Sequence, residues 1–300
     1  MEHTAQVVRL QSHQQEIPTR SRGLWEDAFR RLVRNRLAMF GAVVLLIIIV
    51  MAIFGPSIVP YDPNGMDFSV RFAPPSAAHL LGTDDFGRDI FSRIIIGARV
   101  SLLVGVIAVG LAATVGTLLG LISGSGSRIV DEIIMRAMDI LYAFPAILLA
   151  LAILAALGRG VTNAMIAIGI VYIPIFARIT RGAVLTVRNE EFILAARTLG
   201  AGQVRILMQH ILPNVMAPVI VETSLSLAFA ILAEAALSFF GLGTQPPDPS
   251  WGRMLSEGRS FFRQSVWMGI FPGLAIMFTV MGFNFLGDGL RDALDPRLRR

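Results

Sequence analysis

Long apolar stretches alternate with polar segments along this chain. Six of the stretches are long enough for a helix to cross a bilayer, which takes about 20 residues. They cover residues 37–59, 98–124, 134–157, 161–183, 214–242 and 266–287. The pattern predicts an all-α polytopic membrane protein with six transmembrane helices, so that both termini lie on one side of the membrane.

The positions of the arginines predict which side that is. Cytoplasmic loops of membrane proteins carry an excess of basic residues. If the N-terminus is cytoplasmic, the inside segments and helix ends hold 18 of the 26 basic residues and the outside holds eight. We therefore expect cytoplasmic termini, and we expect residues 60–97 and 243–265 to form external segments.

The predicted organisation has four parts. A cytoplasmic, partly disordered N-terminal segment covers 1–36, and the first transmembrane helix with its external segment covers 37–97. A transmembrane core covers 98–290 and contains a cytoplasmic loop at 185–213, and a cytoplasmic tail covers 291–300. The first apolar stretch begins late for a signal peptide and no small-residue cleavage site follows it, so a retained helix is expected.

Composition agrees with a membrane protein and excludes several kinds of chemistry. The chain is 54% hydrophobic with a mean hydropathy of +0.67, and only 16% of its residues are charged, against about a quarter in soluble domains. It has no cysteine and no lysine, which excludes disulfides, thiolate metal sites and a phosphate-binding P-loop. The four histidines are scattered, so no metal site is predicted. Most arginines lie beside apolar stretches, so the expected partner is a bilayer and not nucleic acid.

The segment RNEEFILAARTLGAGQVRILMQHILPN, residues 188–214, is too polar to span a bilayer and has the pattern of two short helices. Asn189 is a good N-cap for the first helix, and Glu190 and Glu191 then fall in a first turn that favours acidic residues. Gly200 fits the left-handed position that ends a helix. The apolar face expected for this helix comprises Phe192, Ala195, Ala196 and Leu199.

The second short helix is predicted to end at Pro213. Its expected apolar stripe comprises Val204, Leu207, Met208 and Ile211. Two such helices on the cytoplasmic side suit a surface on which another protein docks. The alternative is a pair of amphipathic helices that lies on the lipid surface.

Charged residues within the apolar stretches are further candidates. Glu222 and Glu234 fall inside the fifth stretch, and charges at membrane depth usually face a polar interior or a transport path. Each glutamate is therefore a candidate for lining a translocation path, with a local cap or ion pair as the alternative. Arg136 and Asp139, three residues apart in the third stretch, are expected to form a local ion pair.

The external segment HLLGTDDFGRDIFSRIIIGARVSL, residues 79–102, is predicted to contain an interfacial helix that starts at Asp84 or Asp85. The residues expected to face water are Arg88, Asp89 and Arg93. The candidates for docking an external partner are Asp84, Asp85, Arg88 and Asp89. A metal site at the aspartates is not predicted, because the spacing of a calcium loop is absent.

Two further patterns concern packing. Gly116, Gly120 and Gly124 lie four residues apart in the second stretch, and small residues at this spacing let helices approach closely. In LGTQPPDPSWGRML, residues 242–255, the prolines are expected to stop the fifth helix and Trp251 is expected at the membrane interface. This segment is predicted to be a rigid external loop.

The sequence LAARTLGAGQVRILMQHILP resembles the EAA loop of ABC-importer permeases, whose pattern is E-A-A, three residues, Gly, nine residues and I-x-L-P. The residues that fall on this pattern are Ala195, Ala196, Gly200, Leu212 and Pro213. Leu194 stands where the family has glutamate, and His210 stands where it has isoleucine. Contact at Leu194 is therefore expected to be apolar, or to use Glu190 and Glu191 one turn earlier.

Other segments resemble one branch of that family, the peptide- and nickel-type importers, and within it the second ("C") permease of a heterodimer. They are HLLGTDDFGRDIFSRIIIGARVSL, GLGTQPPDPSWGRML and FPGLAIMFTVMGFNFLGDGLRDALDPRLR. The resemblance extends from about residue 25 to the C-terminus.

The resemblance implies a permease subunit of a bacterial inner membrane, with no ATPase site and no cofactor of its own. The implied partners are a second permease subunit, two ATPase subunits that bind ATP and Mg²⁺, and an external binding protein that delivers a di- or oligopeptide. The residues implied for contact with the ATPase are Asn189, Glu190, Glu191, Phe192, Ala195, Ala196, Arg197, Gly200, Leu212 and Pro213. The alternatives are a stand-alone secondary transporter or channel, and an ABC permease for nickel chelates or glutathione.

Overall fold

The computed structural model describes residues 24–294, and within that range every regular element is a helix. Two helical turns in this range are not α-helical: a 3-10 turn at Phe68–Val70 and a π-helical turn at Leu207–Ile211. The α-helices are α1 Leu24–Arg34, α2 Arg36–Ile58, α3 Ile90–Ser125, α4 Arg128–Tyr142, α5 Ala146–Leu157, α6 Val161–Val187, α7 Glu191–Thr198, α8 Gln203–Ile206, α9 Leu212–Phe239, α10 Trp251–Ser260 and α11 Trp267–Leu294.

Five helices are long and apolar enough to cross a membrane: α2, α3, α6, α9 with its extension through α8, and α11. The all-α polytopic architecture is therefore confirmed. The third predicted helix, 134–157, is wrong in its shape. In its place α4 and α5 meet at an angle of 92° and together form at most one broken span.

Pro145 explains the break in the third span. Proline lacks an amide donor and excludes the preceding residue from the helical conformation, so α4 ends at Tyr142 and α5 starts anew at Ala146. With 12 residues, α5 is about 18 Å long at 1.5 Å per residue. It is too short to cross alone a hydrocarbon core of about 30 Å.

Helices α3 and α6 form the most extensive helix pair of the fold. Gly116, Gly120 and Gly124 of α3 lie directly on α6, and a Cβ at Gly120 would come within 2.5 Å of the Ala177 carbonyl oxygen. The prediction of close packing at these glycines is confirmed. The buried core continues from this pair onto α9.

Helix α2 lies at the side of this core, where it packs against α11. A Cβ at Gly41 of α2 would meet the carbonyl oxygen of Gly282 in α11 at 2.6 Å. Much of the rest of α2 is apolar and exposed, including Leu46 and Ile53. Such a surface suits contact with lipid.

The ends of the helices gather at two faces. The corner segment, residues 188–211, lies beside the end of α3, because Arg188 Nη1 donates to the Gly124 carbonyl at 3.0 Å and Gln203 Nε2 donates to the Ser125 carbonyl at 3.2 Å. We call this end the corner face. The opposite end, here called the far face, carries residues 59–89 and 240–266.

The two terminal parts of the predicted organisation are only partly described. Residues 24–34 of the segment expected to be partly disordered form α1, which packs on α11 near Gly289. Of the predicted tail 291–300, the first four residues complete α11. Residues 1–23 and 295–300 lie outside the described range.

Candidate functional site

The first short helix of the corner segment begins one residue later than the sequence predicts. Helix α7 starts at Glu191, and its cap position is Glu190, whose side chain makes no capping hydrogen bond. Asn189 is therefore not the N-cap. Its backbone amide still bonds back to the Thr186 carbonyl of α6, and its side-chain amide donates to the Leu185 carbonyl at 3.0 Å, so the last turn of α6 holds this residue.

The end of α7 agrees with the prediction. Gly200 has φ +79°, and its amide donates to the Arg197 carbonyl at 2.9 Å. The amide of Ala201 donates to the Ala196 carbonyl at 3.0 Å. This pair of bonds is the Schellman arrangement, which requires a left-handed residue and so favours glycine at this position.

The apolar face predicted for α7 does not point inward. Ile193, which the prediction omitted, is fully buried and anchors the helix, while Ala196 packs against the core at its edge. Phe192 and Leu199 are exposed, Leu199 to 88%. We use the name corner patch for four of the large apolar side chains that the segment leaves exposed: Phe192, Leu194, Leu199 and Val204.

The second helix of the corner does not end at Pro213. Helix α8 runs through a π-helical turn, Leu207–Ile211, into α9, and Pro213 lies in the first turn of α9. A proline has no amide to donate to the helical hydrogen-bond ladder, and Pro213 lies directly after the π-helical turn, where that ladder is already irregular. The predicted stripe is right only in part, because the wider turn shifts the register within it. Ile211 is buried and Leu207 packs against the core, as predicted, whereas Val204 and Met208 are exposed and Ile206, which the prediction omitted, is buried.

A groove lies between the corner segment and the end of α3. Its volume is about 550 Å³, and its lining includes Ser125, Arg188, Leu194, Arg197 and Gln203. The corner face thus combines an exposed apolar patch with a polar, basic recess. This combination is typical of a protein-binding surface, in which an apolar core is bordered by polar groups.

Glu222 lies on a second groove, of about 790 Å³, between α6, α9 and α11. Its carboxylate accepts a hydrogen bond from Ser226 Oγ at 3.0 Å. Arg291 of α11 and Asn214 of α9 line the same groove. Among residues 24–294 no basic side chain forms an ion pair with Glu222.

Glu234 has different surroundings, although it lies on the same helix. Its side chain is buried between α3 and α9, where Ser238 Oγ donates to it at 2.7 Å and Ser101 Oγ donates at 3.2 Å. The residue is only 1% exposed. The Ser101 contact joins α3 to α9, whereas the Ser238 contact lies within α9, and Glu234 is not among the residues that line the Glu222 groove.

The far face contains a buried network of charges. Arg88 Nε lies 2.6 Å from Asp84 Oδ2, and Arg88 Nη2 lies 3.3 Å from Glu257 Oε2. Arg93 Nη2 lies 3.6 Å from the same Glu257 oxygen. Asp85 stands at the edge, and burial followed by the neighbouring charge of Asp84 raises its pKa.

This network overturns the predicted interfacial helix. Neither Asp84 nor Asp85 starts a helix; α3 begins at Ile90 with Asp89 as its N-cap, whose Oδ2 accepts from the Ser92 amide at 2.8 Å. Arg88, Asp89 and Arg93 were expected to face water, but all three are buried, because each has charged or polar partners inside the fold. Asp84 is buried as well, so of the four residues predicted to dock an external partner only Asp85 lies near the surface.

Trp251 is a second correction on the far face. It was expected at the membrane interface, but it is fully buried at the start of α10, where its indole nitrogen donates to the Ile94 carbonyl at 3.0 Å. The segment predicted as a loop thus contains the first turns of α10. Helix α9 ends at Phe239, before the prolines, and Gly241 with φ +76° follows.

The ion pair expected between Arg136 and Asp139 does not form. Arg136 pairs with Glu132 at 3.6 Å, one turn earlier on α4, and Asp139 pairs with Arg178 of α6 at 2.7 Å. Sequence reasoning missed the stronger link between the same helices, in which Arg181 Nε and Nη2 each lie 2.6 Å from a carboxylate oxygen of Asp131. Pairs this distant in the chain leave no local signal, whereas the spacing of Glu132 and Arg136 did favour an i, i+4 pair.

Two family models match this chain. The sequence model described as "Binding-protein-dependent transport system inner membrane component" matches residues 116–300. The model described as "N-terminal TM domain of oligopeptide transport permease C" matches residues 23–75. Together they cover the corner segment, the helix at the side of the core and the core helices except residues 76–115, which include most of α3.

Several relatives match almost the whole chain. The dipeptide transport system permease protein DppC of Alkalihalophilus pseudofirmus is 50% identical over 275 residues, which are 92% of this chain and 90% of that protein. The di/tripeptide transport system permease protein DppC of Pseudomonas aeruginosa is 45% identical, with 91% and 92% covered. The glutathione transport system permease protein GsiD of Escherichia coli is 46% identical, with 94% and 93% covered.

The fold also occurs among solved structures. A chain of the MetNI methionine ABC transporter, in inward-facing conformations, superposes with a TM-score of 0.57. The match covers 67% of this chain and 96% of that chain at 15% sequence identity. At this identity the likeness concerns the arrangement of the helices alone.

Proposed function

Because this chain belongs to the family of inner-membrane components of binding-protein-dependent transport systems, we propose that its corner segment is the surface through which a separate ATPase subunit drives transport. The chain is a membrane permease subunit of the peptide ABC importer type, the "C" permease. The single observation that carries the proposal is the corner patch, a set of exposed apolar side chains presented by α7, its C-terminal end and α8.

The way in which α7 is held supports force transmission. Ile193 is buried in the core at one end of the helix, and the Schellman bonds at Gly200 close the other end. The segment follows α6 directly and leads through the π-helical turn into α9. A push on α7 would therefore reach two membrane helices, and such coupling requires that the partner contacts it differently in two states.

The chemistry of the corner indicates how a partner would bind. Leu194, at the position where the family has glutamate, is half exposed and lines the 550 Å³ groove beside Arg188 and Arg197. We propose that an apolar side chain of the ATPase covers Leu194 and Leu199. Acidic or carbonyl groups of the same subunit would then meet the two arginines.

Sidedness follows from the same proposal. ATPase subunits use cytoplasmic ATP, so the corner face would be cytoplasmic together with both termini, as the arginine distribution indicates. The far face would be external and would receive the binding protein. A second permease subunit would complete the path across the membrane, and two ATPase subunits would complete the importer.

The substrate class proposed for this chain is peptides of two or a few residues. Relatives that are 50%, 45% and 46% identical are named for dipeptides, for di- and tripeptides and for glutathione, respectively. These ligands share a peptide backbone, so the coarse class is common to them. Glutathione, itself a tripeptide derivative, is the second candidate substrate.

A site-specific photo-crosslink tests the docking surface directly. The chain has no cysteine, so Leu199→Cys carries a benzophenone maleimide at one position only. In the purified, assembled importer we expect an adduct between this chain and an ATPase subunit. The matched control is Leu80→Cys on the far face, which is also exposed and apolar and should give no ATPase adduct. Equal adducts from both positions, or none from Leu199→Cys, would overturn the proposal.

A further inference from the structure

We propose that the groove at Glu222 binds the zwitterionic backbone of the transported peptide, with Glu222 facing its ammonium group and Arg291 facing its carboxylate. This inference rests on the proposed function, because it assigns a peptide as the ligand. It adds a binding site within this permease chain, apart from the corner segment and apart from any external binding protein.

The first argument is the lack of internal partners for the two charges. Glu222 receives one hydroxyl hydrogen bond, from Ser226, and no described basic side chain pairs with it. Within residues 24–294 no carboxylate pairs with Arg291 either. A charged group at membrane depth is costly unless it finds a partner, so Glu222, within α9, is suited to receive an opposite charge from outside this chain. Arg291 is exposed in the last turn of α11, so its guanidinium is accessible to a ligand at that end of the groove.

The second argument is that the two charges share one groove. Glu222 projects from α9 and Arg291 from α11, and both line the space of about 790 Å³. Sites for small molecules usually have volumes of about 300–1,000 Å³. The guanidinium of arginine forms paired hydrogen bonds with a carboxylate, whereas a carboxylate accepts from an ammonium group. One acidic and one basic group are therefore the minimum recognition set for a zwitterion.

The third argument is the remaining lining of the groove. Asn214 and Thr186 offer polar groups that can meet a peptide amide, while Ala217, Pro218 and Leu225 are apolar. Such a lining recognises what all peptides share and makes few demands on their side chains. Selection among peptides would then be left to another component of the importer.

The groove also continues along α9. A stripe of partly or fully exposed residues runs up the same face of this helix at spacings of three and four: Asn214, Pro218, Glu222, Leu225, Phe229 and Leu232. Above Glu222 it borders an apolar cavity of about 240 Å³ that Tyr172 and Phe229 line. The charged groove is therefore one part of a longer surface on α9, and a second permease subunit that covers this surface would close it into a path.

The test uses a dipeptide of alanine and photo-leucine as the probe, in the purified importer reconstituted with its binding protein and ATP. In the wild type we expect light-induced adducts on the α9 and α11 segments that border the groove. Glu222→Gln and Arg291→Gln should each lower the adduct yield about tenfold, the effect of losing one hydrogen bond to a charged group. The matched control is Glu132→Gln, at an exposed carboxylate of α4, which should leave the yield unchanged.

Conservative variants separate ligand contact from structure. Glu222→Asp keeps the charge and should retain most of the adduct, whereas assembly lost in both Glu222 variants would show a structural role and overturn the inference. Adducts that persist in both Gln variants would overturn it as well, as would uptake without any adduct on these segments. The Leu199→Cys crosslink is measured on the same preparation of the importer. A negative result for the Glu222 groove therefore does not decide the docking proposal, which depends on that crosslink alone.

Discussion

The indole nitrogen of Trp251 donates a hydrogen bond to the backbone carbonyl of Ile94 at 3.0 Å. The bond joins the first residue of α10 to the first turns of α3, across 157 residues of sequence. The ring lies against Gly97, where a Cβ would come within 3.3 Å of it. Trp251 thus fastens the far-face segment to the core, and its contacts predict how the protein responds to substitution.

Trp251→Phe and Trp251→Ala should separate the hydrogen bond from the packing. Phenylalanine keeps most of the buried ring and loses the bond, at a cost of about 1 kcal/mol. Alanine leaves a cavity and should cost about 3–5 kcal/mol. Thermal unfolding in detergent measures both. Equal loss in the two variants would contradict the separate contribution of packing.

The buried network on the far face predicts a large effect of removing one charge. Arg88→Gln removes the cation that lies 2.6 Å from Asp84 and leaves that carboxylate the longer contact with Arg93, at 3.7 Å. Breaking a buried pair in this way costs about 3–5 kcal/mol. The matched control is Arg136→Gln, whose pair with Glu132 is exposed and should contribute about 0–1 kcal/mol. The difference in unfolding temperature between the two variants decides whether the network stabilises the far face.

Asp85 predicts a stability change that depends on pH. Burial, and after it the charge of Asp84, raises the pKa of this carboxyl above 3.8. The folded state therefore binds the proton more tightly than the unfolded state, and stability from this group falls as pH rises from 3.8 through the raised pKa. Asp85→Asn should be more stable than the wild type at pH 7. This advantage should vanish below pH 3.8, and unfolding temperatures measured across that range test the sign.

Gly120 predicts the importance of close contact between α3 and α6. In Gly120→Ala the new Cβ would lie 2.5 Å from the Ala177 carbonyl oxygen, so the helices must separate and stability should fall by about 1–3 kcal/mol. In Gly110→Ala, on the same helix, the new Cβ has no atom of another helix within 4 Å. This variant should be neutral or stabilise by about 0.5–1 kcal/mol. A destabilisation of equal size in both variants would contradict the packing argument.

The sequence predicted what is local and periodic. Long apolar stretches predicted the spanning helices. The spacing of Gly116, Gly120 and Gly124 predicted close packing, which the structure shows between α3 and α6. Gly200 predicted the end of α7. Each of these signals acts within a few residues, through hydrophobic burial or through a backbone angle that only glycine adopts easily.

What the sequence misplaced depends on contacts distant in the chain. Arg93 reads as a water-facing charge until Asp84 and Glu257 are seen beside it, and α10 brings Glu257 from over 150 residues away. Asp139 pairs across to α6 for the same reason. The corner stripe was predicted correctly at Leu207 and Ile211 only, and a π-helical turn at 207–211 breaks the 3.6-residue period on which the prediction depends.

Gly200 and Gly202 provide a matched pair for the coupling role of the corner. A Cβ at either residue meets nothing within 4 Å, but Gly200 has φ +79° and Gly202 has φ −65°. A valine therefore strains the backbone only at Gly200, by about 1–2 kcal/mol. Gly200→Val should release the Schellman end of α7 and lower the ATP hydrolysis that depends on transport, while Gly202→Val should change it little. Normal coupling in an assembled Gly200→Val importer would contradict the role of α7 in transmitting the motion of the ATPase.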